Sequence, residues 1–182
     1  MHELSRYEEL LDYSEEHQIS VDEKVHFKGK LSGLFFYDDE TDTNNIALSD
    51  CLTTSAEKSC ILAEELGHYN TSSGIMMDLN DEDSRKQERR ARMWAYNYMV
   101  GIHRLLEAYL AGCSSRYDIA EYLDVTEPFL QELIDNYRTV YGIGTYVDGY
   151  FIRFIPNLSV IKMMDEHKKV SVTLSTPLPL NL

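Results

Sequence analysis

Apolar residues recur three or four positions apart in several stretches of the chain, a spacing typical of amphipathic helices. Residues 3–17 and 84–112 show this spacing, so a helix is predicted in each of them. Residues 53–70 predict a further helix, with Thr54 or Ser55 as its N-cap and apolar residues around most of its circumference. Residues 116–124 and 127–141 predict a pair of shorter helices joined by only two residues. The chain is therefore expected to be mainly helical.

Short runs rich in β-branched and aromatic residues lie between the first two helices. Residues 25–28, 33–37 and 45–48 are separated by glycines and a polar stretch, which predicts a small antiparallel sheet. Another hairpin is predicted after the last helix, because the pair Asp148-Gly149 suits a tight turn. Helices and strands in separate stretches indicate an α+β fold.

The length of 182 residues allows one substantial hydrophobic core. We expect residues 1–112 to form a core domain of helices with the small sheet. Residues 113–182 then carry the helical pair and the C-terminal hairpin, either packed on that core or continuous with it as a single domain.

Composition and charge narrow the class of protein. A net charge of −14 argues against nonspecific nucleic-acid binding, which depends on neutralising phosphates. Neither a membrane-spanning apolar run nor a signal-peptide core is seen in the sequence, so no membrane partner is expected. The three cysteines are widely spaced and form no paired motif, which indicates reduced thiols and a cytoplasmic location.

The helix over residues 53–70 contains the sequence "AEELGH", which resembles a zinc-peptidase motif with one letter changed. That motif, H-E-x-x-H, needs two histidines four positions apart and a glutamate after the first. Here Glu64 occupies the place of the first histidine, Glu65 the place of the glutamate and His68 the place of the second histidine. Glu64 and His68 lie one helical turn apart and face the same side, where they either share a ligand or form the solvent face of an ordinary helix.

The following long helix offers a further carboxylate. Glu88 projects into an apolar arc that includes Ala91, Trp94 and Ala95. A carboxylate directed at a core is costly unless it is paired, protonated or bound to a metal. The alternative is that Glu88 simply lies in the first turn of its helix, where acidic residues are favoured.

The two helices together predict a metal site with Glu64, His68 and Glu88 as ligands and Glu65 as the catalytic base. A catalytic Zn²⁺ site uses three protein ligands and one open position for water. A nearby glutamate can take a proton from that water. One imidazole and two carboxylates make a harder site than two imidazoles, so Mn²⁺ or Fe²⁺ are alternatives to Zn²⁺.

Residues 1–112 resemble the ImmA/IrrE family of metallopeptidases, whose fold is zincin-like. The family's motif helix is matched through Glu65, Gly67 and His68. Its second motif, E-x-x-A-N-x-F-A, is similar to residues 88–95, with Arg92 in place of Asn and Trp in place of Phe. The resemblance implies that Glu65 is the general base and that His68 and Glu88 are metal ligands. The departure is the glutamate at position 64.

The resemblance also implies a protein substrate. Members of the family typically cut a repressor-type transcription regulator, often of a phage or mobile element. The first hypothesis is therefore a cytoplasmic endopeptidase that inactivates such a regulator. The second is an anti-repressor on the same fold, weak or inactive in catalysis, that binds its partner without cleavage. The third, a DNA-binding regulator, comes from the helix-turn-helix spacing of residues 116–141, although the surface of this pair is expected to be acidic.

Overall fold

The structure is a computed structural model that describes residues 4–71 and 81–163, with only the backbone described at positions 81 and 82. It contains helices and two separate three-stranded sheets, which confirms the α+β fold. The chain divides into two units. In the described ranges, the first comprises residues up to 99 together with 124–126, and the second comprises residues 100–123 and 127–163.

The first unit combines three helices with a mixed sheet. In this sheet β3 is central, with β1 parallel to it on one side and β2 antiparallel to it on the other. The sheet was expected to be antiparallel throughout, and the parallel pair β1–β3 is the difference. The elements are α1 (Arg6–Glu16), β1 (Ile19–Val25), β2 (Gly33–Asp38), β3 (Thr43–Ser49), α2 (Ser55–Thr71) and α3 (Asp81–Met99).

Helix α2 is the central helix of this unit. It packs against β2 and β3 and also against α1 and α3. Leu62, Ala63 and Leu66 are fully buried, because each faces one of these neighbours. Thr54 caps the start of the helix by accepting a hydrogen bond from the Glu57 N–H at 3.1 Å. Burial on several sides fixes the rotation of α2, and therefore the direction of every side chain that it carries.

The second unit combines three helices with an antiparallel sheet in the order β4-β5-β6. Asp148 and Gly149 form the turn between β4 and β5, both with positive φ, as a type I′ hairpin turn requires. The predicted hairpin is thus confirmed, and β6 extends it to three strands. The elements are α4 (Gly101–Leu110), α5 (Arg116–Leu123), α6 (Glu127–Tyr141), β4 (Gly144–Val147), β5 (Tyr150–Arg153) and β6 (Ser159–Lys162).

Two predicted boundaries are wrong. The helix expected over residues 84–112 begins at Asp81, ends at Met99 and is followed by a separate helix α4. Gly101, the first residue of α4, has a φ of +61°, which cannot occur inside one continuous right-handed helix. The helix is therefore interrupted here, although the apolar spacing continues. The strand expected over residues 25–28 is β1, which ends at Val25. Much of the predicted loop over residues 71–83, and the whole tail from residue 167, lie outside the described residues.

Other sequence expectations concern the cysteines and the membrane. All three cysteines are free thiols, as predicted. In the helices of the described ranges, no segment has the length and apolar content that crossing a bilayer requires.

Helices α2 and α3 approach each other closely where Gly67 faces Ala91. A side-chain carbon at position 67 would overlap the backbone carbonyl of Ala91, so only glycine permits this crossing. Ala91 is itself fully buried. The small size of these two residues sets the distance between the helices, and hence the distance between the side chains next to them.

We predict that Gly67→Ala destabilises the protein by about 1–3 kcal/mol, because the added methyl group pushes the two backbones apart. Helix propensity alone would give the opposite sign, a gain of about 1 kcal/mol for alanine over glycine. Urea unfolding of the two proteins decides between these effects. A variant as stable as the parent, or more stable, would contradict the close crossing.

Candidate active site

His68 and Glu88, two of the predicted ligands, lie next to the crossing of α2 and α3. His68 follows Gly67 on α2, and Glu88 lies one turn before Ala91 on α3. The Nε2 atom of His68 is 3.4 Å from the Oε2 atom of Glu88. The imidazole and the carboxylate therefore meet at one point, half-buried at the edge of the helix pair.

Glu88 has a second partner on its own helix. Its Oε1 atom accepts a hydrogen bond from the Nε–H of Arg92 at 2.9 Å. Arg92 is the residue that stands in place of the family's asparagine. The i, i+4 spacing from Glu88 to Arg92 is that of a helical ion pair. This contact could therefore have been predicted from the sequence, although the comparison with the family motif did not suggest it. One oxygen of Glu88 thus faces His68 and the other faces a guanidinium.

The protonation state of His68 follows from its surroundings. Burial lowers the pKa of His68 below its ordinary value. The charge of Glu88 acts in the opposite direction, and the charge of Arg92 adds to the lowering. At neutral pH the imidazole is therefore mainly neutral, which is the form that binds a metal ion.

Glu65, the predicted base, points to the sheet and not to α3. Its Oε2 atom accepts a hydrogen bond from the backbone N–H of Phe35 in β2, at 2.7 Å. Gly33 makes this approach possible, because a side-chain carbon there would lie 2.8 Å from Oε1 of Glu65 and 2.5 Å from Cγ2 of Ile61. Gly33 and Phe35 were missed as functional positions, since only the fold brings β2 beside the motif.

The environment of Glu65 favours its protonated form. Burial is the main cause, and it raises the pKa of Glu65 from 4.5 to about 7. The hydrogen bond from Phe35 acts against this shift, and the negative charge of Glu88 adds to it. A carboxyl group with a pKa near neutrality can both accept and donate a proton under physiological conditions, as a general base must.

Glu64 lies one turn before His68 on α2 and is half-buried. Its negative charge reaches Cys60, where it adds to the larger effect of burial in raising the pKa of that thiol. Within the described side chains, no group of three His, Cys, Asp or Glu residues is placed to hold a metal ion. Glu64 as third ligand therefore stays a prediction.

His68 and Glu88 by themselves fit a divalent cation. Two ligand atoms bound tetrahedrally to one Zn²⁺ ion at about 2.0–2.1 Å lie roughly 3.3 Å apart. The distance between Nε2 of His68 and Oε2 of Glu88 is close to this value. The donor types, one neutral imidazole and one carboxylate, are also ordinary ligands of zinc.

The remaining histidines of the described residues are engaged elsewhere. His26 pairs with Asp50 at 3.2 Å, and His103 pairs with Asp148 at 3.0 Å. His17 stacks on Tyr13. His2 and His167 lie outside the described residues.

Comparison with models of protein families gives a match. The model of a peptidase family, described as the IrrE N-terminal-like domain, matches residues 15–134. This range is about two-thirds of the chain and includes both motif helices. Searches of curated proteins and of solved structures gave no match.

We predict that the metal-free protein loses about 2–3 kcal/mol of stability between pH 5 and pH 8 through Glu65 alone. The folded state holds the Glu65 proton more tightly than the unfolded state, since its pKa is about 7 instead of 4.5. This contribution is complete below pH 4.5 and is lost as the pH rises through 7. Urea unfolding of the metal-free protein, in the presence of a chelator at pH 5 and at pH 8, measures this loss of stability.

Glu65→Gln carries no titratable proton and should lose much less stability over the same range. The comparison removes the contributions of all other groups. Equal losses in parent and variant would show that Glu65 is ionised at an ordinary pKa in the folded protein.

Proposed function

Since this chain belongs to the peptidase family with the IrrE N-terminal-like domain, we propose that it is a metal-dependent endopeptidase that inactivates a regulatory protein. The family match confirms the resemblance drawn from the two sequence motifs. A peptidase of this type acts on a protein substrate. The observation that carries the proposal is the meeting of His68 and Glu88 at 3.4 Å, together with Glu65 three residues before His68, a carboxyl group whose pKa is about 7.

His68 and Glu88 would hold the metal ion, with Glu64 as the third ligand. Glutamate has the reach to replace histidine at this helical position, because carboxylate oxygens bind Zn²⁺ at about the same distance as imidazole nitrogens. A bound Zn²⁺ ion, or Mn²⁺ or Fe²⁺ in this oxygen-rich set, supplies Lewis acidity that makes water a nucleophile at neutral pH.

Glu65 supplies the proton transfer in this proposal. Its pKa near 7 allows the carboxylate to accept a proton from water and to pass it to the departing amine. The Phe35 N–H fixes one oxygen of Glu65 and leaves the other, Oε1, for this exchange. Burial of the group keeps bulk water from competing for the proton.

The backbone of β2 suits an extended substrate. In the described part of the sheet β2 is an edge strand, and the Phe35 N–H is directed to Glu65 and not to β3. Peptides commonly bind to such an edge by adding a strand. A peptide placed along β2 would have its backbone beside Glu65.

The proposed substrate is a repressor-type transcription regulator, often one of a phage or mobile element. The proposed location of the reaction is the cytoplasm. This part of the proposal rests on the resemblance to the ImmA/IrrE family. The helical pair α5–α6 does not favour direct DNA binding, because its arginines are used internally. Arg116 donates to Glu127 and Gln131 at 3.0 Å each, and Arg138 donates to Asp135 and to the Phe154 carbonyl.

An anti-repressor that binds its partner without cleavage is the alternative function. The contact that favours it is the ion pair between Arg92 and Glu88. A guanidinium on Glu88 competes with any metal ion for the same carboxylate. Both side chains are close to half exposed, so the pair itself is weak.

We predict that Arg92→Asn tightens Zn²⁺ binding by at least about twofold, because it frees Glu88 from its ion pair and removes a positive charge beside the metal.

Glu64→Ala should weaken binding by at least about tenfold if Glu64 is a ligand, since even outer-shell partners contribute that much. Glu64→His should tighten it. Competition with a chromophoric chelator measures each affinity.

Arg89→Asn is the matched control, because Arg89 is exposed on the same helix one turn earlier. It should leave the affinity unchanged. If Arg92→Asn behaves like this control, the ion pair does not compete with the metal. If Glu64→Ala and Glu64→His both bind Zn²⁺ with an unchanged affinity, Glu64 is not a ligand.

We predict that Glu65→Gln lowers the rate of cleavage at least about a hundredfold, in line with the usual contribution of a general base. To identify the substrate, the proteins of the source cell are incubated with the zinc-loaded enzyme. The new N-termini are then labelled and identified. Glu121→Gln, an exposed substitution in α5, controls for the loss of one charge. A partner that is captured by the wild type but yields no new N-terminus would support the anti-repressor function and contradict the peptidase.

A further inference from the structure

Six aromatic rings of the first unit form a continuous row. They come from α1, β2, α2 and α3 and from the residue that follows α1, so the row is made by the fold and not by one segment. In order along the row they are Phe35, Tyr69, His17, Tyr13, Tyr98 and Trp94.

Neighbouring rings in the row are in direct contact. The ring centroids of Phe35 and Tyr69 are 5.8 Å apart, and those of Tyr69 and His17 are 6.3 Å apart. His17 stacks on Tyr13 at 3.9 Å. Such edge-to-face and stacked pairs hold the rings in fixed orientations.

The far end of the row is equally ordered. Tyr13 meets the ring of Tyr98 edge-on at 5.4 Å, and Tyr98 stacks on Trp94 at 4.8 Å. The hydroxyl of Tyr13 donates to Oδ1 of Asn70 at 2.9 Å, which fixes that ring further. A preorganised row loses little side-chain entropy when a ligand binds to it.

The row begins at the candidate active site. The backbone N–H of Phe35 is the group that binds Glu65. Tyr69 directly follows His68 on α2. A peptide chain that passes Glu65 along β2 is therefore within reach of the first two rings.

None of the six rings is buried. His17 and Tyr98 are exposed, Tyr98 at 37%, and the other four are half-buried. Tyr7 and Tyr96 of the same unit are buried, so this unit does have room for aromatic residues in its core. A contiguous row of rings that all remain partly accessible is more typical of a binding surface than of core packing.

The charged groups that act on Tyr98 are two carboxylates, Glu9 and Glu16, and one guanidinium, Arg6. Burial is the main cause that raises the pKa of Tyr98; the charge of Glu9 adds to it, Arg6 acts against it, and Glu16 adds a smaller effect. Arg6 is itself paired with Glu9. Ring faces also carry partial negative charge, and they attract guanidinium and ammonium groups as well as apolar side chains.

We propose that this aromatic row binds a segment of the protein substrate that contains both arginine or lysine and large apolar side chains. The apolar side chains pack against the rings, and the cations lie over ring faces with the carboxylate of Glu16 nearby. Arginine fits best, because its planar guanidinium stacks on aromatic rings. The proposal adds a substrate preference to the proposed peptidase function. It rests on that function in treating the bound segment as part of a substrate, whereas the binding itself does not require catalysis.

The single tryptophan of the chain, Trp94, makes the binding directly measurable. The probe is a synthetic decapeptide in which pairs of arginines alternate with pairs of leucines, so that each face of the extended chain carries both residues. Its partner is the same peptide with glutamate for arginine. The full-length metal-free protein is titrated with each, and Trp94 fluorescence is recorded. We expect saturable binding of the arginine peptide, at least about tenfold tighter than the glutamate peptide, and weaker at high salt.

Tyr98→Leu tests the ring itself, since leucine keeps apolar volume but removes the ring face. We expect it to weaken binding of the arginine peptide by about threefold to tenfold, and Tyr98→Phe to bind like the parent. Tyr117→Leu is the matched control, because Tyr117 is exposed on α5 in the second unit. It should leave the affinity unchanged, and thermal melting shows whether each variant is folded.

Several results would overturn the proposal: no change in Trp94 fluorescence up to millimolar peptide, equal affinity for the two peptides, or Tyr98→Leu binding as well as Tyr117→Leu. If the protein binds the arginine peptide but cleaves nothing in the N-terminal labelling experiment, the aromatic binding site is supported and the peptidase function is contradicted. The two failures are therefore distinguishable.

Discussion

The closeness of α2 and α3 at Gly67 and Ala91 is the constraint on which the candidate site depends. Only a residue without a side chain fits opposite the Ala91 carbonyl. With any larger residue at position 67 the helices would separate, and His68 would move away from Glu88. The glycine of the motif thus sets the helix spacing that brings the next residue, His68, to Glu88.

A second close approach sets the position of Glu65, the proposed base. Gly33 lets β2 lie against α2, so that the Phe35 N–H reaches Glu65. The same approach buries Glu65, and this burial is the main reason for its pKa near 7. One helix thus presents its histidine to a neighbouring helix and its glutamate to a neighbouring strand. The two groups meet different surroundings although they are only three residues apart.

Local spacing in the sequence was sufficient for the parts of this site that lie on one helix. The i, i+4 and i, i+3 relations among Glu64, Glu65 and His68 follow from helical geometry alone. The contact of His68 with Glu88 was expected because Glu88 projects into an apolar arc that another element had to cover. The motif order along the chain then indicated which element this was.

The parts that could not be predicted depend on long-range contacts or on single backbone angles. No local signal places Phe35 beside Glu65, since strand β2 and helix α2 are brought together only by the sheet. The parallel pairing of β1 with β3 is likewise a property of the whole sheet. The break after Met99 depends on the positive φ of Gly101, while the apolar spacing continues through it. The described residues do not yet place Glu64 as a ligand, so its role stays a prediction.

The two departures from the family pattern have opposite charge. Glu64 adds a negative charge where the motif has a neutral histidine, and Arg92 adds a positive charge where it has a neutral asparagine. The sum of charge around His68 and Glu88 is therefore the same as in the usual arrangement, but it is distributed differently. At the proposed metal site, a divalent ion would meet one more carboxylate if Glu64 is a ligand, and it would also have to displace the guanidinium from Glu88. These two effects oppose each other, so neither departure by itself determines the affinity that the proposed site would have for a metal ion.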